Sequence, residues 1–240
     1  MEDRSRRFIN TYNQLDQYMR DYLNADKNIS HNNLIDLASK KSSLFRNYKN
    51  DLKEFAQLRN AIVHNTHFVN KQLGEIIAEP HEDVVAYYED LLKKITLPKL
   101  AKDIYRSIKS DKVLTATLDT KIIDIIKYMY NKKNTCVPIL EAYKLKGVFS
   151  ENVLITLIAK GEKTEFNELK AYDILEYLDI DSHYGEYFAF CKASDNIFDI
   201  KEMFQKQDHK KRLELIFVTA NGYQNEEILG VISAWDLVGV

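Results

Sequence analysis

With 240 residues, 45% of them hydrophobic and 29% charged, the chain is long enough for one or two domains and a sizeable core. Its 34 Lys and Arg against 36 Asp and Glu give a net charge of −2; this argues against a broad duplex-DNA binder and leaves only a local basic site open. Two distant cysteines, Cys136 and Cys191, a charged opening MEDRSRRFIN and no long apolar run lead us to expect a soluble cytoplasmic protein with no disulfide framework, leader or membrane span.

In chain order, helices come first. Phe8, Tyr12, Leu15, Met19 and Tyr22 recur at helical spacing. Ser30 is placed to cap a second helix carrying Leu34, Leu37 and Ala38. A third stripe runs through Phe45, Tyr48, Leu52, Phe55, Ile62 and Val63. A fourth helix starts near Pro80, with Glu82 and Asp83 in its first turn and Val84, Tyr87, Leu91 and Ile95 as its buried face. Residues 1–96 therefore predict an all-α bundle with short connections.

After Pro98 the period changes. Leu114–Leu118 reads as a strand, and Ile122, Ile125, Ile126 and Met129 as a helix. TCVPIL (135–140) and KLKGVFS (144–150) follow as strands, with a helix after Ser150. A second pass gives a strand at YFAFC (187–191), a helix through Ile197, Ile200 and Phe204, strands at LELIFVT (213–219) and EILGVIS (227–233), and a helix opening at Ala234. The two passes close on matching phrases, GVFS at Gly147 and GVIS at Gly230, an internal repeat of β-α-β-β-α copies, about 99–160 and 171–240. The whole is an α+β chain, with a boundary between residues 96 and 97.

The order of elements, VPIL in the first copy and the closing Gly-apolar-apolar-Ser phrases resemble a tandem pair of CBS domains, the Bateman module. That resemblance implies a bound adenine nucleotide (AMP, ADP or ATP) or a related adenosyl ligand as regulator. It also implies that a Ser and the Asp three residues later hold the ligand. Ser233 and Asp236 fit in SAWD: a hydroxyl and free N–H groups suit phosphate, and a carboxylate suits ribose hydroxyls. The same spacing is also that of a capping box. In the first copy, SENV, Val153 replaces the Asp and Asn152 stands one position early, so at most one good site per chain is expected. Phe190 and Cys191 are candidates for the base pocket. In the run Lys210-Lys211-Arg212, Arg212 either reaches phosphate or belongs to a solvated loop, and Trp235 packs the last helix.

One residue in the helical part breaks its pattern. Tyr48, Leu52, Phe55, Ile62 and Val63 all fall within about 60° of Arg59 on a helical wheel, so a guanidinium sits in the apolar stripe and needs a carboxylate, an anionic ligand or a wet groove. Asp16, Asp21 and Asp36 are the candidate carboxylates. Arg59, Asn60 and His64 in LRNAIVHN resemble the signature of the HEPN family, an Arg, four to six residues and a His in a helical domain. The resemblance implies a homodimer in which both protomers line one cleft, found in toxins and antiviral proteins. It also implies a metal-independent endoribonuclease in which Arg59 and His64, with Asn60 beside them, act on RNA whose 2′-hydroxyl is the nucleophile. His64 and His67 lack a third ligand at metal spacing, and no catalytic cofactor is expected. The alternative is a non-enzymatic sensor whose bundle only dimerises or recruits a partner.

Overall fold

The computed structural model describes residues 4–64, 79–110, 113–161, 165–206 and 210–239. The chain divides into two compact units, Met1–Lys99 and Leu100–Val240.

The first unit holds α1 (Arg4–Leu23), α2 (His31–Lys41), α3 (Ser43–Asn47), α4 (Lys49–His64) and α5 (Glu82–Thr96). Its core is Phe8, Leu15, Met19, Leu34, Ile35, Phe45, Leu52, Phe55, Tyr88, Leu91 and their neighbours. Each such fully buried side chain contributes about 1.5–3 kcal/mol. Ser30 caps α2 as expected, accepting from the Asn33 N–H at 3.3 Å. Two expectations need correction. The third stripe is not one helix: the buried Ser39 hydroxyl reaches the Phe45 carbonyl at 3.2 Å, a backbone acceptor that a continuing helix would use, and the chain turns at Tyr48 between α3 and α4. The buried face of α5 is Val85, Tyr88, Leu91 and Ile95. Tyr88 packs between Phe8 and Phe55, with ring centroids at 5.0 and 4.1 Å. Tyr87 lies at the surface and donates to Asp51 at 2.6 Å.

The second unit comprises β1 (Arg106–Ser107), α6 (Ile122–Lys132), β2 (Cys136–Glu141), β3 (Lys144–Ser150), α7 (Glu151–Lys160), α8 (Leu175–Leu178), β4 (Glu186–Lys192), α9 (Ile197–Gln205), β5 (Arg212–Thr219) and β6 (Gly230–Ile232). Strands run in the order β1-β6-β5-β4, with β4 and β5 parallel and the other pairs antiparallel. β2 and β3 form an antiparallel pair. The strand expected at 114–118 is reduced to a single parallel bridge, Ala116 to Ile139, and the helix expected at Ala234 is one 3-10 turn, Ala234–Leu237. The repeat survives both changes: each copy has a parallel contact followed by an antiparallel one.

The two copies exchange segments. A 3-10 turn at Ala101–Asp103 opens the first copy but docks on the second, donating from Ala101 and Lys102 to the Asp195 and Ala193 carbonyls at 2.8 and 3.0 Å. A matching turn at Ala171–Ile174 docks on the first copy, donating from Ala171 and Tyr172 to the Thr120 and Leu118 carbonyls at 3.0 and 2.9 Å. Both turns spell Ala-x-Asp-Ile (Ala101, Asp103, Ile104; Ala171, Asp173, Ile174). In both, the Asp accepts the N–H three residues back, of Leu100 or Lys170, at 2.9 Å. The closing glycines make room for these segments. A Cβ on Gly230 would collide with the Tyr105 ring and lie 2.6 Å from the Arg106 carbonyl; one on Gly147 would collide with the Leu178 carbonyl and lie 2.7 Å from its Cβ. Backbone carbonyls cannot give way as a flexible side-chain end can. Gly230→Ala and Gly147→Ala should therefore each cost about 1–3 kcal/mol, measured as a lowered denaturant midpoint. A change within 0.3 kcal/mol would mean that the exchanged segments do not hold these positions.

Candidate functional site

A cavity of about 450 Å³ opens between the two copies, at the starts of β2 and β5 and the turn after β6, within the usual range for small-molecule sites. Ser233, Trp235, Asp236, Arg106, Lys133, Thr135, Cys136, Arg212 and Glu214 are on its wall. Asp236 folds back on the turn, accepting from both the N–H and the hydroxyl of Ser233 at 2.7 Å. Its other oxygen lies 3.0 Å from Arg106 Nε, and a second guanidinium nitrogen of Arg106 donates to the Ser233 hydroxyl at 3.3 Å. The capping box of the sequence is thus real, and Arg106 ties it to the exchanged segment. On the facing wall Glu214 accepts from Thr135 and Arg212, both at 2.6 Å. Burial, followed by the charges of Glu214 and Glu186, pushes the Cys136 thiol up to about 12, so it stays protonated near neutral pH and offers no thiolate nucleophile.

Of the residues singled out from sequence, the fold brings Ser233, Asp236 and Arg212 to one cavity. Phe190 and Cys191 are not on its wall. Cys191 is buried under the sheet with Ile200 and Ile216, and Phe190 stacks on Phe217 with centroids 5.5 Å apart. Trp235 does not pack a helix; it is 85% exposed at the rim. Arg106 escaped sequence reading because it lies 127 and 130 residues from its partners. Its one signal was the Ala-x-Asp-Ile phrase, which repeats at the start of the second copy.

The equivalent position in the first copy is filled from within. Glu186, at the start of β4 and only 3% exposed, accepts from the Ser150 hydroxyl in a short hydrogen bond and from the Asn152 amide at 2.8 Å. The same oxygen that meets Ser150 lies 2.7 Å from His183 Nδ1. Burial pushes the Glu186 pKa up, but the hydrogen bonds from His183, Ser150 and Asn152 outweigh it and hold the carboxyl below its ordinary value.

A family model matches residues 101–160. Its family is the CBS domain. The match starts at the Ala101 turn and ends with the last residue of α7. Solved CBS-containing structures resemble part of the chain. A CBS domain-containing protein from Bacillus anthracis str. Ames Ancestor is 18% identical and covers 60% of this chain and 94% of its own, with a TM-score of 0.44. CBSX2 in complex with AMP is 15% identical, covers 58% and 92%, and scores 0.41. The CBS domain pair of MJ0100, in complex with 5′-methylthioadenosine and S-adenosyl-L-methionine, is 15% identical, covers 59% and 94%, and scores 0.39. The search of curated proteins gave no match. Outside the CBS-matched segment, no described helix is long and apolar enough to cross a membrane, nor is one within it.

In the helical unit Arg59 is half-buried on α4, in line with buried Leu52, Phe55 and Ile62, while Val63 is exposed. Its guanidinium lies over the Tyr12 ring, 5.3 Å from the centroid, and donates to the Asn60 amide oxygen at 3.4 Å. The three carboxylates considered for it have other partners. Asp16 holds Arg20 and His31 at 2.6 and 2.7 Å, Asp21 accepts from Gln17, and Asp36 meets Lys49 and Lys53. His64 is the last residue of α4; its side chain and all of His67 lie outside the described residues.

Tyr12 also stacks on His31, with centroids 4.0 Å apart. Burial lowers the His31 pKa against the opposing pull of Asp16. Among the described residues His31 Nε2 is buried with no hydrogen-bond partner, so a second proton there would find no acceptor among them and the neutral ring with its proton on Nδ1 is favoured. A folded-state value below the unfolded one, about 6.5, means that the unfolded chain binds more protons. His31 therefore contributes stability that is complete above the unfolded value and fades as pH falls below it. The thermal midpoint should drop between about pH 7 and pH 5, and His31→Gln should be less stable at pH 7 but flatter across that interval. Parallel profiles for the two proteins would exclude His31 as the titrating group.

Proposed function

We propose that residues 100–240 act as a pair of CBS copies that binds an adenine nucleotide, or a related adenosyl compound, in the cavity at Ser233, and that the occupied cavity regulates the helical unit. One observation carries this reading: Arg106, Lys133 and Arg212 converge on one cavity with a Ser-Asp turn and an exposed indole. Guanidinium groups match phosphate oxygens in a bidentate way, and an aromatic face suits an adenine ring. Asp236 is the acceptor for ribose hydroxyls, and one of its oxygens is held by Arg106. Phosphate competes for that guanidinium. Binding is then an exchange, in which Arg106 moves to the ligand and Asp236 turns to the ribose. Arg106 belongs to the segment that begins at Leu100, so the exchange gives the two ligation states different contacts there, which any regulatory coupling requires.

Trp235 is the single tryptophan of the chain and stands on the cavity wall, so binding should be visible in intrinsic fluorescence. Titration of the full chain with AMP should change the emission in a saturable way, and Asp236→Ala should remove most of the change. At a hundredfold excess over Kd the ligand should also stabilise the wild type by about 2.7 kcal/mol. A flat titration with AMP, ADP, ATP and S-adenosylmethionine would overturn the reading.

A second reading concerns the output. The half-buried guanidinium of Arg59 and the exposed amide of Asn60 share one hydrogen bond on α4, a pair able to meet a phosphodiester, and His64 ends the same helix. We infer an RNA-cleaving or RNA-binding bundle that works as a homodimer, the activity implied by the HEPN resemblance. Wild type should cleave single-stranded RNA in EDTA and leave cyclic phosphate ends. Arg59→Ala and His64→Ala should each lower the rate on the order of a hundredfold or more. Absence of cleavage by the wild type, with and without AMP, would leave a nucleotide sensor whose bundle dimerises or recruits a partner.

A further inference from the structure

The two halves of the second unit are built from the same phrases, and laying one on the other shows what became of the first. Ser150 corresponds to Ser233, and Val153 to Asp236. Counting five residues on from the alanine of each Ala-x-Asp-Ile turn, Arg106 after Ala101 corresponds to Glu176 after Ala171. The first half has thus lost the carboxylate for a ribose and replaced a cation by an acid. Glu176, with Asn152 and His183, lines a hollow of about 150 Å³, below the usual range for a small-molecule site.

The polar groups of the first half have nevertheless kept an anion. The Ser150 hydroxyl and the Asn152 amide both donate to Glu186, the Ser150 oxygen accepts from the Val153 N–H at 3.2 Å, and His183 lies against the same carboxylate. Glu186 and His183 are 3% and 4% exposed. A buried carboxylate persists only where donors replace its water, and here three side chains do so. Ser150 ends β3 and Asn152 lies on the first turn of α7, both in the first copy, whereas His183, in the loop before β4, and Glu186 come from the second copy.

We propose that Glu186 is an internal anion that occupies the first-half cradle of Ser150, Asn152 and His183, and that this closes the first half to nucleotides and limits the chain to one. The limit to one nucleotide rests on the reading of the Ser233 cavity as a nucleotide site; the occupied cradle does not.

Two measurements test it separately. In Glu186→Ala the cradle keeps its donors and loses its anion, so a small carboxylate should refill it. Formate at tenfold excess over its Kd should raise the melting temperature of Glu186→Ala by roughly 3–6 °C. It should leave the wild type and Glu186→Gln, whose cradles are filled, without a comparable shift. No formate-specific rise, or a Glu186→Ala chain that does not fold even in formate, would overturn the cradle. In calorimetry with AMP the wild type should bind one equivalent per chain, and Asp236→Ala none. Two equivalents in the wild type, or one retained in Asp236→Ala, would show that Glu186 does not close the first half. No AMP binding by the wild type, together with formate rescue, would refute the nucleotide reading while leaving the internal anion standing.

Discussion

Tyr105 and Arg106 approach Gly230 so closely that no side chain fits there, and most of what is distinctive in the second unit follows from this contact. The segment from Leu100 to Ser107 opens the first copy in sequence but completes the sheet of the second, with β1 as an edge strand on β6. The same pairing brings Arg106 to Asp236 and Ser233. Its mirror at Gly147 sets Leu178 against β3. Each copy is thus completed by residues that open the other, beside the closing-strand pairs β2–β3 and β5–β6 that it forms itself.

Electrostatics then separates two halves of one design. At Asp236 the charge is balanced by Arg106 at a partly open position, 15% and 35% exposed, where an ion pair is worth little and is easily exchanged. At Glu186 the charge is sealed and its donors are neighbours in the fold. Breaking up such a cluster strands a buried charge or buried donors, which is costly. Similar chemistry, a carboxylate meeting the serine after a Gly-apolar-apolar strand, is therefore exchangeable in one half and fixed in the other.

The helical unit handles its buried polar groups differently. Arg59 meets an aromatic face, which a cation favours, and that ring is clamped on its own account by His31 and, through it, by Asp16 and Arg20. The network holds Tyr12 in place under the guanidinium. The arginine is consequently both tolerated by the core and left beside an exposed amide.

Periodicity alone carried the helical unit, the strand pairs β2–β3 and β5–β6, and the repeat, because those features depend on residues close in sequence and on which face is apolar. The Ser233–Asp236 turn was legible for the same reason, being a contact across three residues. The face of α5 was misread by one residue, since Val84–Val85 and Tyr87–Tyr88 offer two apolar faces and only Phe8 and Phe55 decide between them. Phe190 and Cys191 were misplaced because alternation along β4 says which residues face the same way but not what covers each face. Arg106 and Glu186 were out of reach altogether. The partners of Arg106 and the Ser150 and Asn152 donors of Glu186 lie 127–130 and 34–36 residues away, and no local pattern encodes such a pairing; His183, three residues from Glu186, is the one local member of its cluster. The sequence by itself determined most of the helices and strands, the repeat and the local cap. Only the tertiary structure decided which charges meet, because two glycines without side chains let backbone from one copy lie against the other.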